Sequence, residues 1–427
     1  MYGAIIIFAV TYLAIAGRRL GVLPVGRPAA GLFGAVACVV FGVLTPSQAY
    51  SAIDGDTIIL LLAMMILSAH LERAGFFEWG AAMALRYART PQVLLTALVL
   101  GAGLTSAILV NDSVCLMMTP LVVRLIRRGR LGPKLFLMAL ATSANIGSVM
   151  TLVGNPQNML VGSMSDISFA RFFLILAPVG IACLVLNRLL LPRFYPMRPP
   201  ASEAARRQAE WLETPFDDTD ELPRDFRTTI VPTLRRGLLV KCLLSVGLAI
   251  TGFFAGFNVA WTALTAATLL LVTAGWEPRQ AFRQVDWPLL LFFSGLFIVV
   301  GGLRESGVIA WLFAALQPTL GGDAVRQGWG FSILTLVGSN LFSNVPWVLV
   351  AGEWVSSLVE PEAGWLLLAM ASTFAGNLTL IGSVANVLVV EGGQSVATIT
   401  FGDYLRYGIV ISILTTAIGT AWILFVT

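Results

Sequence analysis

Apolar runs close to 20 residues long recur along the whole chain and constrain its fold more than any other feature. An α-helix needs roughly 20 residues to cross the hydrocarbon core of a bilayer. Eight runs approach that length: Gly3–Gly17, Ala29–Leu44, Thr57–Leu71, Arg171–Leu191, Leu238–Gly256, Asn258–Gly275, Pro288–Leu303 and Tyr407–Thr427. Charged residues make up only 12% of the 427 positions, and soluble domains carry about a quarter. The sequence therefore predicts an all-α polytopic protein embedded in a lipid bilayer.

The placement of basic residues predicts the topology, because Lys and Arg concentrate in the cytoplasmic loops of membrane proteins. They cluster at Arg18 and Arg19, within Arg124–Lys134, and across the long polar segment Arg193–Arg236, while the alternate loops are nearly free of them. This pattern predicts a cytoplasmic central loop, N- and C-termini outside, and residence in the inner (plasma) membrane. No small-residue cleavage site follows the first apolar run, so we expect that run to remain as a span.

Residues suited to chemistry are few and scattered. The four cysteines stand singly in apolar sequence, at Cys38, Cys115, Cys183 and Cys242. This spacing predicts neither a disulfide framework nor a metal site, and the single histidine, His70, cannot build a histidine-based metal centre. The sequence contains no H-E-x-x-H or G-x-S-x-G motif, so we expect no cofactor and no enzymatic activity. The basic residues lie between spans and not on one soluble face, so nucleic acid is not an expected partner.

The chain contains two related halves. Matching blocks recur in the same order, and they pair Pro46 with Pro278, Asp54 with Asp286, Gly75 with Gly307, Asn111 with Asn344, Thr151 with Thr379, Gly154 with Gly382 and Asn158 with Asn386. Each half is predicted to have five transmembrane spans and one re-entrant hairpin, so the second copy is inverted. We predict a first inverted repeat at 1–195, a cytoplasmic linker at 196–236 and a second repeat at 237–427. The hairpins fall at about 92–127 and 330–358, and one broken helix per repeat falls at about 135–163 and 365–390.

Both predicted broken helices carry Asn and Gly inside a stretch long enough to be a span. They read TSANIGSVMTLVGNPQNMLVG from Thr142 and STFAGNLTLIGSVANVLVVEG from Ser372. Backbone leaves the helical conformation inside a bilayer only where it is buried in protein or lines a cavity, and the free half-helix ends bind polar solutes or ions. The predicted substrate-binding residues are Asn111, Asn145, Ser148, Thr151, Asn155, Asn158, Ser343, Asn344, Asn377, Thr379, Ser383 and Asn386. The alternative is that these side chains only join helices through hydrogen bonds.

Asp112, at the tip of the first predicted hairpin, is the candidate ion-coupling residue. A carboxylate at the bilayer centre costs roughly 2.5–3.5 kcal/mol, so it should meet a cation, carry a proton or face water. Its counterpart in the second half is the apolar Val345. This asymmetry is expected if a proton or sodium ion couples to one half only. The alternative is that Asp112 caps a helix of the hairpin.

These stretches resemble a known family. FSNVPWVLVAG and GNLTLIGSVANVLVVEG are similar to second-half signatures of ArsB-type arsenite permeases and the related pigment-cell P-protein transporters. NDSVCLMMTPLV and SANIGSVMTLVGNPQNMLVG resemble the first-half hairpin and broken helix of the same group. All belong to the ion transporter superfamily, which includes the divalent anion/sodium symporters. The resemblance implies two inverted repeats with two re-entrant hairpins, and secondary active transport, commonly the proton-coupled export of arsenite or antimonite.

The resemblance and the polar residues are compatible with more than one substrate. Arsenite is a neutral trihydroxide at pH 7, which suits a pocket of amides, hydroxyls and backbone dipoles without a fixed cation, and Cys115 could act as a soft arsenic ligand. Superfamily members also carry citrate, dicarboxylates, sulfate or sodium, so a sodium- or proton-coupled anion transporter is the alternative. The hairpin tips, Val110-Asn111-Asp112 and Ser343-Asn344-Val345, depart from the Ser-Asn-Thr signature of sodium symporters and favour protons. An ion channel is a more distant alternative, and the sequence leaves open a homodimer or an ATPase subunit as partner.

Overall fold

The protein is α-helical, as its sequence predicts. The computed structural model describes residues 1–19, 26–198 and 233–427, with the side chains of 16–19 excepted. Within these ranges the regular structure consists of helices, and no strand is formed. Most of the predicted linker 196–236 lies outside the described residues. The all-α fold class is confirmed.

The described chain contains twenty α-helices, ten on each side of the linker. The first ten are α1 (Tyr2–Arg19), α2 (Arg27–Val40), α3 (Pro46–Ser51), α4 (Gly55–Ala74), α5 (Phe76–Tyr87), α6 (Pro91–Ile108), α7 (Asn111–Gly129), α8 (Pro133–Ser148), α9 (Pro156–Met164) and α10 (Phe169–Phe194). The others are α11 (Arg236–Phe254), α12 (Val259–Thr273), α13 (Pro278–Phe282), α14 (Trp287–Glu305), α15 (Val308–Leu320), α16 (Ala324–Phe342), α17 (Asn344–Val355), α18 (Pro361–Ala375), α19 (Val384–Gly392) and α20 (Phe401–Val426).

Six of these helices, α4, α6, α10, α11, α14 and α20, are long and apolar enough to cross a membrane. Large apolar side chains also cover the outside of the bundle. Leu174, Leu244, Val272 and Phe425 are between 67% and 82% exposed. Apolar surface of this extent is not stable in water and fits contact with lipid, so the protein is a multi-pass membrane protein.

Residues paired by the sequence repeat occupy the same local structures. Asp54 caps α4 by accepting a hydrogen bond from the Thr57 backbone N–H at 2.6 Å, and Asp286 caps α14 through the Leu289 N–H at 3.0 Å. Gly75 ends α4 with φ 81°, and its paired glycine after α14, Gly307, has φ 75°. Both φ values favour glycine, because a Cβ is strained in that conformation. The inverted orientation of the two halves remains a prediction.

In each half, two helices follow one another with almost no connecting chain at the predicted hairpin tip, and the helix predicted to be broken is interrupted. The helices α6 and α7 are separated only by residues 109–110, and α16 and α17 only by Ser343. The chain leaves the helical conformation between α8 and α9, at residues 149–155. It does so again between α18 and α19, where a short 3₁₀ helix spans Leu380–Gly382. Pro156 is the first residue of α9, a position that needs no backbone N–H donor.

Gly147 does not lie in the interruption, although its sequence context favours that position. It belongs to α8, and a Cβ added to it would come within 2.0 Å of the Gly103 carbonyl oxygen on α6. The glycine is therefore required because two helix backbones approach closely. Around it, every residue of α8 except Lys134 is buried, and α18 is buried throughout 366–375. Both interruptions thus begin inside the protein, where irregular backbone is tolerated in a membrane.

Candidate functional site

Four helix N-termini converge on one cavity. They belong to α7, α9, α17 and α19, which begin at the two hairpin tips and the two interruptions. The cavity has a volume of about 60 Å³. The first backbone N–H groups of a helix have no partner within the helix, so each N-terminus presents donors and a partial positive charge. The cavity is therefore lined with backbone donors from both halves of the chain.

Five residues predicted from sequence line this cavity. They are Asn111, Asp112, Ser343, Asn344 and Ser383. Val345, the counterpart of Asp112, lies in the same wall. The two hairpin tips therefore face one cavity, with a carboxylate on one side and an apolar side chain at the matching position.

Arg27, a residue that received no role from the sequence, also lines the cavity. It is the first residue of α2, and it interacts electrostatically with the Asp112 carboxylate. The same carboxylate accepts a hydrogen bond from the Ala385 backbone N–H in the first turn of α19. The expectation of a pocket without a fixed cation was therefore wrong. Arg27 stands just before an apolar run, and this position was the available sequence signal for a role of the residue. The sequence alone did not connect it to a hairpin 85 positions away.

The two hairpin-tip asparagines each hold an unpaired acceptor. Asn111 and Asn344 are 4% and 8% exposed. Their Oδ1 atoms are buried, and neither has a hydrogen-bond partner among the described residues. Asn111 is otherwise fixed, because its Nδ2 donates to Asn145 Oδ1 at 2.9 Å and its backbone N–H donates to the Gly154 carbonyl at 3.0 Å. Buried polar atoms are usually paired, so each of these oxygens, on a residue that lines the cavity, can accept a further hydrogen bond.

Eight predicted residues do not line the cavity. They are Asn145, Ser148, Thr151, Asn155, Asn158, Asn377, Thr379 and Asn386. Most are completely buried, and they form hydrogen bonds with other parts of the protein. Asn145 is the centre of this network: its Nδ2 donates to Asn377 Oδ1 and Asn386 Oδ1, both at 2.9 Å. Its Oδ1 accepts from Asn111 Nδ2 at 2.9 Å and from Ser383 Oγ at 3.1 Å.

Two of these amides close the interruptions. Asn158 Nδ2 donates to the carbonyl oxygens of Ser148 and Thr151, at 3.1 and 2.9 Å. Asn386 makes the same bonds in the second half, to the carbonyls 10 and 7 residues before it, at 2.6 and 3.1 Å. The last carbonyls of a helix lack partners within the helix. Each asparagine therefore satisfies the backbone that its own interruption leaves unpaired.

The helices on either side of the two interruptions also bind each other reciprocally. Asn145 donates to Asn386 at 2.9 Å, and Thr373, which the repeat pairs with Asn145, donates to Asn158 Oδ1 at 3.2 Å. Asn145 also accepts from Ser383, and Asn155, the counterpart of that serine, donates to Thr373 Oγ1 at 3.1 Å. Contacts that exchange partners in this way are the pattern that two-fold-related units produce. Thr373 lies in the second predicted broken helix but is not among the residues predicted to bind substrate.

The remaining candidates for metal or arsenic chemistry lie elsewhere. Cys115 is fully buried in α7, one turn beyond the hairpin tip, and it is absent from the cavity wall. All four cysteines are free and buried. Within the described ranges, no three His, Cys, Asp or Glu side chains come together as a metal site.

Apolar spanning helices, two interruptions and a small polar cavity between them define a polytopic membrane transporter. The family model described as CitMHS, citrate transporter, matches residues 6–375. The chain belongs to this family. The silicon efflux transporter LSI3 of rice (Oryza sativa subsp. japonica) is 32% identical over 96% of this chain and 95% of its own length. The arsenical pump membrane protein of Escherichia coli is 27% identical over 82% of each chain.

These matches confirm the resemblance to the ArsB-type group. The fold is shared with more distant proteins as well. The crystal structure of the Alcanivorax borkumensis YdaH transporter superposes with a TM-score of 0.58 at 13% identity, and covers 88% of this chain and 86% of that one.

Proposed function

We propose that this protein is a proton-coupled secondary transporter that exports arsenite or antimonite by alternating access. The observation that carries the proposal is the cavity at the hairpin tips, which is small and offers both donors and unpaired acceptors. The hydroxyl groups of arsenous acid both donate and accept hydrogen bonds. One such solute therefore satisfies both kinds of group.

The size of the cavity favours a solute with few atoms. Its volume is about 60 Å³. Arsenous acid consists of one arsenic and three oxygen atoms, whereas a citrate ion is several times larger.

The unpaired acceptors favour a neutral hydroxide over an anion. A sulfate or carboxylate ion has no proton to donate, so it would leave Asn111 Oδ1 and Asn344 Oδ1 unpaired beside the Asp112 carboxylate. Each unpaired buried group costs about 1–3 kcal/mol. The names of two relatives support the same solute class, because silicic acid, like arsenous acid, is a small neutral hydroxide.

Asp112 is the residue we assign to proton coupling. When Asp112 is ionised, its charge balances that of Arg27, and the cavity is neutral overall. When Asp112 is protonated, the carboxylate charge beside Arg27 is lost and one acceptor has become a donor. The two protonation states therefore bind a hydroxylated solute differently, which is the condition for a proton to shift the transport equilibrium.

We also propose that the two halves are inverted repeats, with the linker in the cytoplasm and both termini outside the inner membrane. The reciprocal hydrogen bonds between the interruptions support a two-fold relation of the halves. The basic loops support the orientation. In this arrangement the cavity lies toward the cytoplasmic side, because Arg27 and Leu289 belong to helix ends on that side.

A second candidate function is the coupled transport of citrate or another anion. Arg27 and the four helix N-termini give the cavity a positive potential, which favours an anion. The description of the family model as a citrate transporter points in the same direction. Of the two functions, arsenite export accounts for the unpaired acceptors and the small volume.

Transport by purified protein in liposomes tests both functions. Arsenite, silicic acid, citrate, succinate and sulfate are offered separately under an imposed proton or sodium gradient. We expect a pH gradient to drive arsenite accumulation, and we expect Asp112→Asn to abolish accumulation while the variant remains folded. Asp323→Asn is the matched control, because Asp323 is an exposed cap of α16 remote from the cavity. Gradient-driven accumulation by Asp112→Asn would refute the role of that residue, and accumulation of citrate alone would establish the second candidate.

A further inference from the structure

A second, larger cavity lies further along α9, α14 and α17, three helices that also line the first cavity. Its volume is about 410 Å³, and its wall contains polar and charged side chains. They include Asp54, Asp56, Ser163, Arg304 and Glu353. Arg304 Nη1 and Glu353 Oε1 are 3.4 Å apart across this cavity. A space of this size and polarity suits a hydrated solute.

The helices α9, α14 and α17 line both cavities with successive turns. The first cavity is lined by residues near the N-terminal ends of these helices, such as Gln157, Phe293 and Pro346. The second cavity is lined by residues closer to the C-terminal ends, beginning at Leu160, Phe297 and Leu349. The two cavities therefore lie toward opposite ends of the 19-residue helix α14, and of the shorter α9 and α17.

The layer between the cavities is about one helical turn thick. The two linings are three positions apart on α9 and α17 and four positions apart on α14. Each position adds about 1.5 Å along a helix, giving roughly 4.5–6 Å. The residues at which the second lining begins are apolar and buried: Leu160, Phe297 and Leu349 are 1%, 4% and 9% exposed. The hydrocarbon core of a bilayer is about 30 Å thick. The separation between the two linings is therefore a small fraction of the membrane thickness.

We infer that the two cavities are the two ends of one solute path, and that Leu160, Phe297 and Leu349 form the gate between them. The inference rests on the proposed transport function and adds the path and its barrier. An apolar constriction excludes water and ions without a fixed charge. With the gate closed, the solute reaches the hairpin tips from one side only. Separation of these three side chains opens the first cavity to the second.

The first experiment locates the cavities without any cargo. Leu289→Cys places a thiol in the first cavity and Ser163→Cys places one in the second. The native cysteines are buried, and the unmodified protein gives the background. A membrane-impermeant thiol reagent is added to one side of sealed proteoliposomes of known protein orientation. We expect it to label one variant from each side; labelling of both variants from the same side would overturn the inference.

The second experiment opens the gate. In Phe297→Ala, we expect proteoliposomes to lose an imposed pH gradient several-fold faster, and we expect Ser163→Cys/Phe297→Ala to be labelled from both sides. Phe425→Ala is the matched control, because Phe425 is 82% exposed on the outer surface. Leu349→Ala provides a second opening if Phe297→Ala does not fold. A retained gradient with one-sided labelling in folded variants would overturn the inference. Neither readout uses arsenite, so failure of the proposed cargo stays distinguishable.

Discussion

The strongest test of the architecture is the removal of the Asn145 side chain. This amide makes four hydrogen bonds that join the first interruption to a hairpin tip and to the second interruption. Hydrogen bonds between membrane helices contribute on average about 0.6 kcal/mol each and up to about 1.7 kcal/mol. Four bonds therefore contribute about 2.4 kcal/mol or more. Asn145→Ala also leaves the Oδ1 atoms of Asn377 and Asn386 without this donor in a buried site, so we expect a total loss of about 3 kcal/mol or more.

The measurement is the free energy of unfolding in mixed micelles of a mild detergent and dodecyl sulfate. The control is Asn258→Ala, which removes an exposed asparagine that caps α12 through the Trp261 N–H and should cost about 1 kcal/mol. A double-mutant cycle between Asn145→Ala and Asn386→Ala should give a coupling energy of at least about 0.5 kcal/mol. If Asn145→Ala unfolds at the wild-type midpoint, or the cycle shows no coupling, the network does not hold the two halves together.

Two further predictions concern backbone positions. Ser343 adopts φ 75° and ψ 155° at the second hairpin tip, a conformation that costs a side chain about 1–3 kcal/mol. Ser343→Gly should therefore unfold at a free energy about 1 kcal/mol above Ser343→Ala, which equally lacks the hydroxyl; equal stability of the two variants would argue against backbone strain. Gly147→Ala should destabilise by more than about 3 kcal/mol because its Cβ would meet backbone atoms of Gly103. The nearest atoms to a Cβ at Gly103 belong to the Leu184 side chain, which can adjust more easily than backbone, so Gly103→Ala should cost about 1 kcal/mol. Similar thermal unfolding of these two variants would contradict the close approach of α6 and α8.

Features that depend on neighbouring residues could be predicted from the sequence. Gly154 and Pro156 indicate an interruption because proline has no N–H to continue a helix, and the structure ends α8 at Ser148 and begins α9 at Pro156. The hairpin tip at Asn111 could likewise be predicted, because the apolar stretches on either side of it are short. The apolar runs predict the long helices for the same reason, since their length and composition are local properties.

The roles of the individual polar residues depended on the packing of distant segments. Asn145 and Asn344 are both asparagines in the polar stretches, yet Asn145 is fully occupied by four protein partners. Asn344 lines the cavity, and its buried Oδ1 has no hydrogen-bond partner among the described residues. Partners such as Asn377 lie 232 positions from Asn145, and no local pattern states which amides will meet.

The sequence by itself determined that the chain is helical, that it lies in a membrane and that its helices are interrupted, because these properties follow from hydrophobicity and from the backbone of Gly and Pro. Only the tertiary structure decided which polar groups stay free for a solute, and it also brought Arg27 to Asp112. The physical reason is that a hydrogen bond or a charge pair needs two partners within a few ångströms, and in this fold the partners come from different halves or different helices.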